Sequence, residues 1–174
     1  EMINRENLGK SLVVATSLPK GTVLSAQHIK VRSPGQGLSP QRYEELLVMA
    51  SGFARSGDTD QLVPMLRSGL PVDLKDEKGN SLLMLATYNG NAATAKAILD
   101  HGADVDLRND RGQTPLGGVA FKGNLEMVGL LVEHGANVNA DQGGGKRPIL
   151  FAYMFGRFKV VRYLRANGAK IRGD

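Results

Sequence analysis

Three series of glycines recur along this chain with a constant step of 33 residues. The series are Gly57, Gly90, Gly123 and Gly156; Gly69, Gly102, Gly135 and Gly168; and Gly79, Gly112 and Gly145. A fixed period of about 20 to 50 residues is typical of proteins built from stacked supersecondary units, each of which buries its apolar face only against its neighbours. The step therefore predicts a solenoid of about four units from about residue 48 to residue 174.

Apolar residues follow the same register between the glycines. They are Leu62, Ala95, Val128 and Val161, followed three residues later by Met65, Ile98, Leu131 and Leu164. A spacing of three places both positions on one face of a helix. In the third unit Thr114-Pro115-Leu116 begins a first helix, Gly123-Asn124 ends it, and residues 125–133 form a second helix that Gly135 terminates. Each unit is thus predicted to be two short helices joined by a turn.

These residues resemble the ankyrin repeat family. The matching segments are HGADVD at 101–106, RGQTPL at 111–116 and EHGANVNA at 133–140. The resemblance implies a mainly α solenoid of about four helix-turn-helix units: a cap at 48–75, repeats at 76–108 and 109–141, and a C-terminal cap repeat at 142–174. Where the family has Thr-Pro-Leu followed by His, the second unit has Ser81-Leu82-Leu83, the fourth has Arg147-Pro148-Ile149, and none has the His. We expect weaker hydrogen bonding between units as a result.

The basic residues of the chain are concentrated in its last unit. Residues 1–47, 48–141 and 142–174 carry net charges of +2, −4 and +7. Arg165 stands where the earlier units carry Leu66, Leu99 and Val132. Because a terminal repeat has no outer neighbour and must be polar on that side, this pattern predicts a C-terminal cap.

Residues 1–47 do not follow the repeat. Residues 11–15 and 22–24 are predicted strands separated by a turn, followed by one helical turn through Ile29. The segment NLGKSLVVATSLPKGTVLSAQHIKVRSPGQGLSP resembles the SAF domain at the C-terminus of sialic acid synthases, which is related to type III antifreeze proteins. The resemblance implies a small β-rich, β-clip-like segment, incomplete here. We expect it to pack on the stack, to mediate self-association with another copy, or to be partly disordered.

Composition excludes several classes of site. The chain has no Cys, which rules out disulfides, thiolate metal sites and Cys nucleophiles. No apolar run approaches the roughly 18 residues of a membrane span, and the start lacks the regions of a signal peptide. We expect a cytoplasmic protein. The chain begins with Glu1 rather than Met, so we also expect a piece of a longer polypeptide.

The histidines do not predict a metal site. His101 and His134 occupy equivalent positions one repeat apart, so helix packing separates them by about 8 to 10 Å. A shared zinc ion would require each imidazole within about 2.1 Å of the metal. Their place in the last turn of a helix favours a C-capping role instead.

No catalytic constellation is present, and we expect neither enzymatic activity nor a cofactor. Two carboxylate pairs are spaced two residues apart: Asp58 with Asp60, and Asp104 with Asp106. Each falls at a turn or a helix start, where Asp caps backbone N–H groups. Gly143-Gly144-Gly145-Lys146 lacks the spacer and the following Ser or Thr of a phosphate-binding loop, so it is interpreted as a flexible hairpin.

The resemblance implies that a partner is recognised by hairpin tips and by the concave face of the first helices. The tips give Glu77, Lys78, Asn80, Asp110, Arg111 and Gln113; Lys146 is the tip of the last hairpin. The helices give Arg55, Tyr88, Asn89, Phe121, Lys122, Met154 and Phe155. Exposed aromatic and Met side chains in a row are typical anchors of protein interfaces. The alternative is that this row packs against the N-terminal segment or between hairpins.

The sequence therefore predicts a non-catalytic protein–protein interaction module. The alternative is a fragment of, or accessory to, a sialic acid synthase-like enzyme, acting through the SAF-like segment. Nucleic-acid binding by the basic C-terminal unit is less favoured, since caps are commonly charged. The final Arg172-Gly173-Asp174 matches an integrin-binding tripeptide, which we attribute to chance.

Overall fold

A computed structural model describes residues 13–14, 29–30 and 40–171. Strand β1, Val13–Val14, pairs antiparallel with β2, Ile29–Lys30. Ile29, expected at the end of a helical turn, lies instead in this second strand. The remaining elements predicted before residue 40 lie outside the described residues, as do His28 and residues 172–174.

Residues 40–171 fold into four helix pairs. Their bounds are α1 Pro40–Ser56, α2 Thr59–Arg67, α3 Leu82–Asn89, α4 Ala92–Asp100, α5 Pro115–Lys122, α6 Leu125–Glu133, α7 Pro148–Met154 and α8 Phe158–Ala166. The first helices of the pairs pack on one another in one row, and the second helices pack in another. We call these the first-helix row and the second-helix row. This is the predicted solenoid, and the helices of the third unit have the expected bounds.

The glycine register reflects a backbone requirement. Every glycine of the three series has a positive φ, for example 81° at Gly90 and 86° at Gly123, where first helices end. Residues with a Cβ rarely adopt this left-handed conformation. Polar side chains begin the helices: Ser81, Thr114 and Asn124 each accept a hydrogen bond from the backbone N–H three residues later. The turns therefore recur because their residue types recur.

The same glycines also allow neighbouring units to approach closely. A Cβ on Gly57 would lie 2.8 Å from Asn91, whose side-chain amide donates to the carbonyl oxygens of Ala54 and Arg55 at 3.0 and 2.9 Å. A Cβ on Gly123 would lie 2.5 Å from Arg157. The residue that begins each second helix thus covers the glycine turn of the preceding unit.

The apolar register forms a continuous core. The positions Leu62, Ala95, Val128 and Val161 are buried, as are Ile98, Leu131 and Leu164. Their equivalent Met65, in the first unit, is half-buried. The predicted helical face is confirmed in all four units.

Helix α1 is longer than the other helices, with 17 residues against seven to nine. It begins at Pro40, so the predicted domain boundary after residue 47 falls inside it. Tyr43 and Leu47 pack against the core, whereas Val48 and Met49 are exposed. Burial raises the pKa of the Tyr43 hydroxyl. In the part of the chain that is described, none of the helices has the length and apolar character required to cross a membrane.

Candidate functional site

The C-terminal ends of α3, α5 and α7 carry the expected row of large side chains. Tyr88, Met154 and Phe155 are 41%, 63% and 46% exposed, whereas Phe121 is half-buried. Two polar neighbours in this row, Asn89 and Lys122, are also exposed. We call this set of six residues the inner face. It presents apolar surface on three successive units.

The inner face is held together by contacts between successive units. The Lys122 Nζ lies 4.3 Å from the centroid of the Tyr88 ring, which is a cation–π geometry. Phe121 and Phe155 meet with ring centroids 4.4 Å apart and an interplanar angle of 69°, an edge-to-face arrangement. Each pair joins a residue to the one 34 positions later. The inner face is therefore one connected surface, and its ring pair explains why Phe121 is partly buried.

A glycine makes room for Tyr88 on this surface. A Cβ on Gly118 would lie 3.4 Å from the Tyr88 ring, so the ring rests over that position of α5. The equivalent residues in the neighbouring units are Leu85 and Phe151. The sequence did not indicate this role, because Gly118 does not belong to any of the three glycine series.

Arg55 is engaged with the first hairpin. Its guanidinium lies 2.7 Å from an Asp76 carboxylate oxygen, and the Asp76 side chain is only 9% exposed. Burial alone raises the pKa of Asp76, but hydrogen bonds from the N–H groups of Asn80 and Lys78, together with Arg55, lower the pKa overall. Arg55 thus stabilises a hairpin while about half of its side chain stays exposed.

The hairpin tips divide into exposed and partly occupied residues. The exposed ones are Glu77, Lys78, Asp110, Arg111 and Lys146. Asn80 and Gln113 are half-buried, and their side-chain oxygens accept hydrogen bonds from the Asn109 amide at 3.0 and 3.2 Å. Of the residues expected at the tips, these two therefore join hairpins to one another as well.

Comparisons with known proteins agree with this architecture. The family model described as ankyrin repeats (3 copies) matches residues 47–142 and 83–173. The chain belongs to the ankyrin repeat family. A SAF domain model matches residues 9–47. Both predicted resemblances are confirmed.

A curated relative of the ankyrin stack comes from Pseudomonas aeruginosa and is named as an ankyrin repeat protein. It is 45% identical over 53 residues, which are 30% of this chain and 31% of that protein. The chain therefore matches less than a third of the relative's length.

A ladder of hydrogen bonds joins successive ankyrin units at one edge of the stack. The side-chain oxygens of Asp73, Asp106 and Asn139, spaced 33 residues apart, accept from the backbone N–H groups of Asp104, Asn137 and Lys170 at 3.0, 3.0 and 2.8 Å. Burial raises the pKa of Asp73 and of Asp106, and the charge of Asp104 adds to both shifts. The sequence analysis did not single out this ladder, although its period is visible in the sequence.

The carboxylate pairs have the capping roles expected of them. Asp58 accepts from the N–H of Gln61 at 3.3 Å and begins α2. Asp104 accepts from the N–H of Asp106 at 2.9 Å, within a turn. Each carboxylate therefore satisfies backbone donors of the stack.

Gln142 is a buried polar residue that the sequence analysis overlooked. Its side-chain oxygen accepts from the N–H of Thr114 at 2.8 Å, and its amide donates to the Thr114 hydroxyl and the Ala140 carbonyl, both at 3.0 Å. The equivalent residues Asp76 and Asn109 instead cap their own hairpins. Thr114 thus has a hydrogen-bonded partner in the next unit although the family's His is absent, contrary to the weaker bonding expected there.

The histidines and the triple-glycine hairpin have structural roles. His101 and His134 end α4 and α6, with their Nδ1 atoms 2.7 and 2.8 Å from the carbonyl oxygens of Ala97 and Leu130. Gly143, Gly144 and Gly145 have φ of 100°, 64° and 74° in an exposed turn. Within the described ranges, no group of three or more His, Asp or Glu side chains is arranged to hold a metal ion.

Proposed function

We propose that the ankyrin stack is a non-catalytic module that binds a protein partner through the inner face and the hairpin tips. The observation that supports this most directly is the connected row of exposed Tyr88, Met154 and Phe155 on three successive units. Family membership indicates a protein–protein interaction module. The row adds a specific surface to that general role.

The composition of this surface fits a protein interface. Aromatic and Met side chains are typical anchors, and charged residues around them typically set orientation and association rate. Here the anchors lie on the first-helix row, and the exposed charges lie at the tips, on Glu77, Lys78, Asp110 and Arg111. The proposed partner therefore offers an apolar segment flanked by charges of both signs.

The test compares capture of a protein from a lysate by the full chain and by matched variants. Tyr88→Ala combined with Met154→Ala is expected to abolish capture, because both exposed anchors are lost, while thermal unfolding changes little. Phe121 is left intact, since it is half-buried against Phe155 and its loss would affect stability as well. The control, Phe158→Ala, removes an exposed aromatic from the second-helix row and is expected to retain capture. Undiminished capture by the double variant would show that the inner face is not the binding surface.

The second candidate function is an accessory role toward a sialic acid synthase-like enzyme, which the SAF match at residues 9–47 favours. The same experiment separates the two. If a chain beginning at Pro40, the start of α1, loses capture while the double variant keeps it, the SAF segment binds the partner instead.

A further inference from the structure

A second exposed groove lies on the second-helix row, between α6 and α8. Its lining residues are Leu125, Phe158, Lys159, Arg162, Tyr163 and Ala166. Phe158 is 68% exposed and Leu125 is 38% exposed. These two residues occupy equivalent positions in successive units, where the earlier units carry Thr59 and Ala92. The large apolar pair is therefore specific to the last two units.

The groove follows from the residue pattern of α8. Val160, Val161 and Leu164 are buried, so they fix which side of the helix faces the core. Lys159, Arg162, Tyr163 and Ala166 are spaced three and four residues apart and share another side. On α6, a Cβ at Gly129 would lie 3.7 Å from the Tyr163 hydroxyl oxygen. Small residues on both helices therefore keep the groove open between larger walls.

The cations of this groove lack partners within the stack. Residues 142–171 contain seven Lys and Arg residues and no Asp or Glu. Lys159 and Arg162 are exposed, and neither forms an ion pair or a hydrogen bond within the described part of the chain. By contrast, Lys96 on α4 lies 2.9 Å from Asp100. The groove thus combines an apolar floor with two uncompensated positive charges.

We propose that the α6–α8 groove binds an acidic amphipathic helix of a protein partner. Apolar side chains of that helix would pack against Leu125 and Phe158, while its carboxylates pair with Lys159 and Arg162. An amphipathic helix laid in a groove between helices is a recurrent mode of peptide recognition. This site is separate from the inner face, so each can be tested while the other stays intact.

The observations favour a peptide over a nucleic acid. Nucleic-acid binding depends on a series of Lys and Arg residues that neutralise successive phosphates. Here the cations come from α8, whereas the opposite helix, α6, exposes Glu126 and Glu133. A short acidic peptide needs only the local charges.

The experiment measures fluorescence anisotropy of a labelled helical peptide, with Leu on one face and Glu elsewhere, titrated with the full chain. We expect saturable binding that weakens with added salt. The same peptide with Lys in place of Glu, and a labelled oligothymidine, are expected not to bind. Equal binding of the acidic and basic peptides, or tighter binding of the oligonucleotide, would overturn the proposal.

Variants locate the site. Phe158→Ala with Arg162→Glu is expected to weaken binding of the acidic peptide by about ten-fold or more, because an anchor is lost and a charge is reversed. Arg67→Glu makes the same charge change on an exposed residue of α2, and Tyr88→Ala with Met154→Ala alters the inner face. Neither is expected to change binding. If either control weakens binding as much as the groove variant does, the groove is not the site.

A second measurement does not depend on the variants. Amide chemical-shift changes caused by the acidic peptide in the unmodified chain are expected on α6 and α8. Changes confined to the first-helix row would overturn the proposal even if the inner-face capture test had succeeded.

Discussion

Gln142 and Gly117 depend on each other, although 25 positions separate them in the sequence. A Cβ on Gly117 would lie 2.1 Å from the Gln142 side-chain oxygen, which accepts the Thr114 N–H. The Gln142 side chain is buried, so it cannot move away without giving up its hydrogen bonds. Gly117 is therefore required by its neighbour, since its own φ is not positive.

We predict that Gly117→Ala lowers the free energy of unfolding by about 1 to 3 kcal/mol, because the displaced Gln142 leaves buried Thr114 groups without a partner. In a Gln142→Ala background the clash is absent. There Gly117→Ala is expected to stabilise by about 0.5 to 1 kcal/mol, the usual gain of Ala over Gly within a helix. Urea unfolding of the four proteins measures this change of sign. An identical effect of Gly117→Ala in both backgrounds would contradict the coupling.

At the scale of elements, the turns were far more predictable than the contacts between units. The glycine series are visible because a left-handed turn allows few other residues, and the structure has a positive φ at each. The pairing of Gln142 with Thr114 was not predictable, because it depends on a hairpin whose cap moves from position 142 to Asp141. The start of α1 at Pro40 was missed for a related reason, since no repeated residue precedes Gly57 in that unit.

The inner face shows the same limit. Periodicity placed Tyr88, Phe121 and Met154 in one row, but it did not distinguish the exposed Met154 from the half-buried Phe121. That difference arises from the offset of 34 residues between the contacting rings, which is set by how two helices cross. A step of 33 in the sequence does not contain that information.

The hydrogen-bond ladder between units uses Asp at two positions and Asn at the third. Burial raises the pKa of Asp73, so its ionised form opposes folding at neutral pH. Asn139 accepts the equivalent backbone hydrogen bond without a charge. An amide at position 73 should therefore retain the bond and avoid the cost of the charge.

We predict that Asp73→Asn raises the melting temperature at pH 7. Because the folded pKa of Asp73 lies above its unfolded value, the cost of its charge falls as the pH drops through the folded pKa. The advantage of the Asn variant should therefore vanish at and below about pH 4, where the carboxyl is protonated in the unfolded chain as well. Asn139→Asp, which adds a charge at the equivalent position, is expected to lower the melting temperature at pH 7. A lower melting temperature for Asp73→Asn at pH 7 would contradict this account.

At the scale of the whole molecule, each unit of the stack packs only on its sequence neighbours. The first helices contact in the order α1, α3, α5, α7, and the second helices in the order α2, α4, α6, α8. Stability in such a solenoid is close to a sum of unit and nearest-neighbour terms, so an end unit can open by itself. This matters for binding, because the last unit carries both Met154 of the inner face and the α8 wall of the second groove.

Equivalent core truncations in the third and fourth units should therefore differ in reach. Leu131 and Leu164 are both fully buried and lie one repeat apart, and each Leu→Ala change is expected to cost about 2 to 5 kcal/mol. Since the fourth unit has a single neighbour, Leu164→Ala should reduce native-state hydrogen-exchange protection mainly in α7 and α8 and leave α3 and α4 protected. Leu131→Ala should reduce protection on both sides of the third unit, because its helices support two neighbours. Uniform loss of protection in both variants would mean that the stack opens only as a whole, and that its two binding surfaces cannot be uncoupled by fraying.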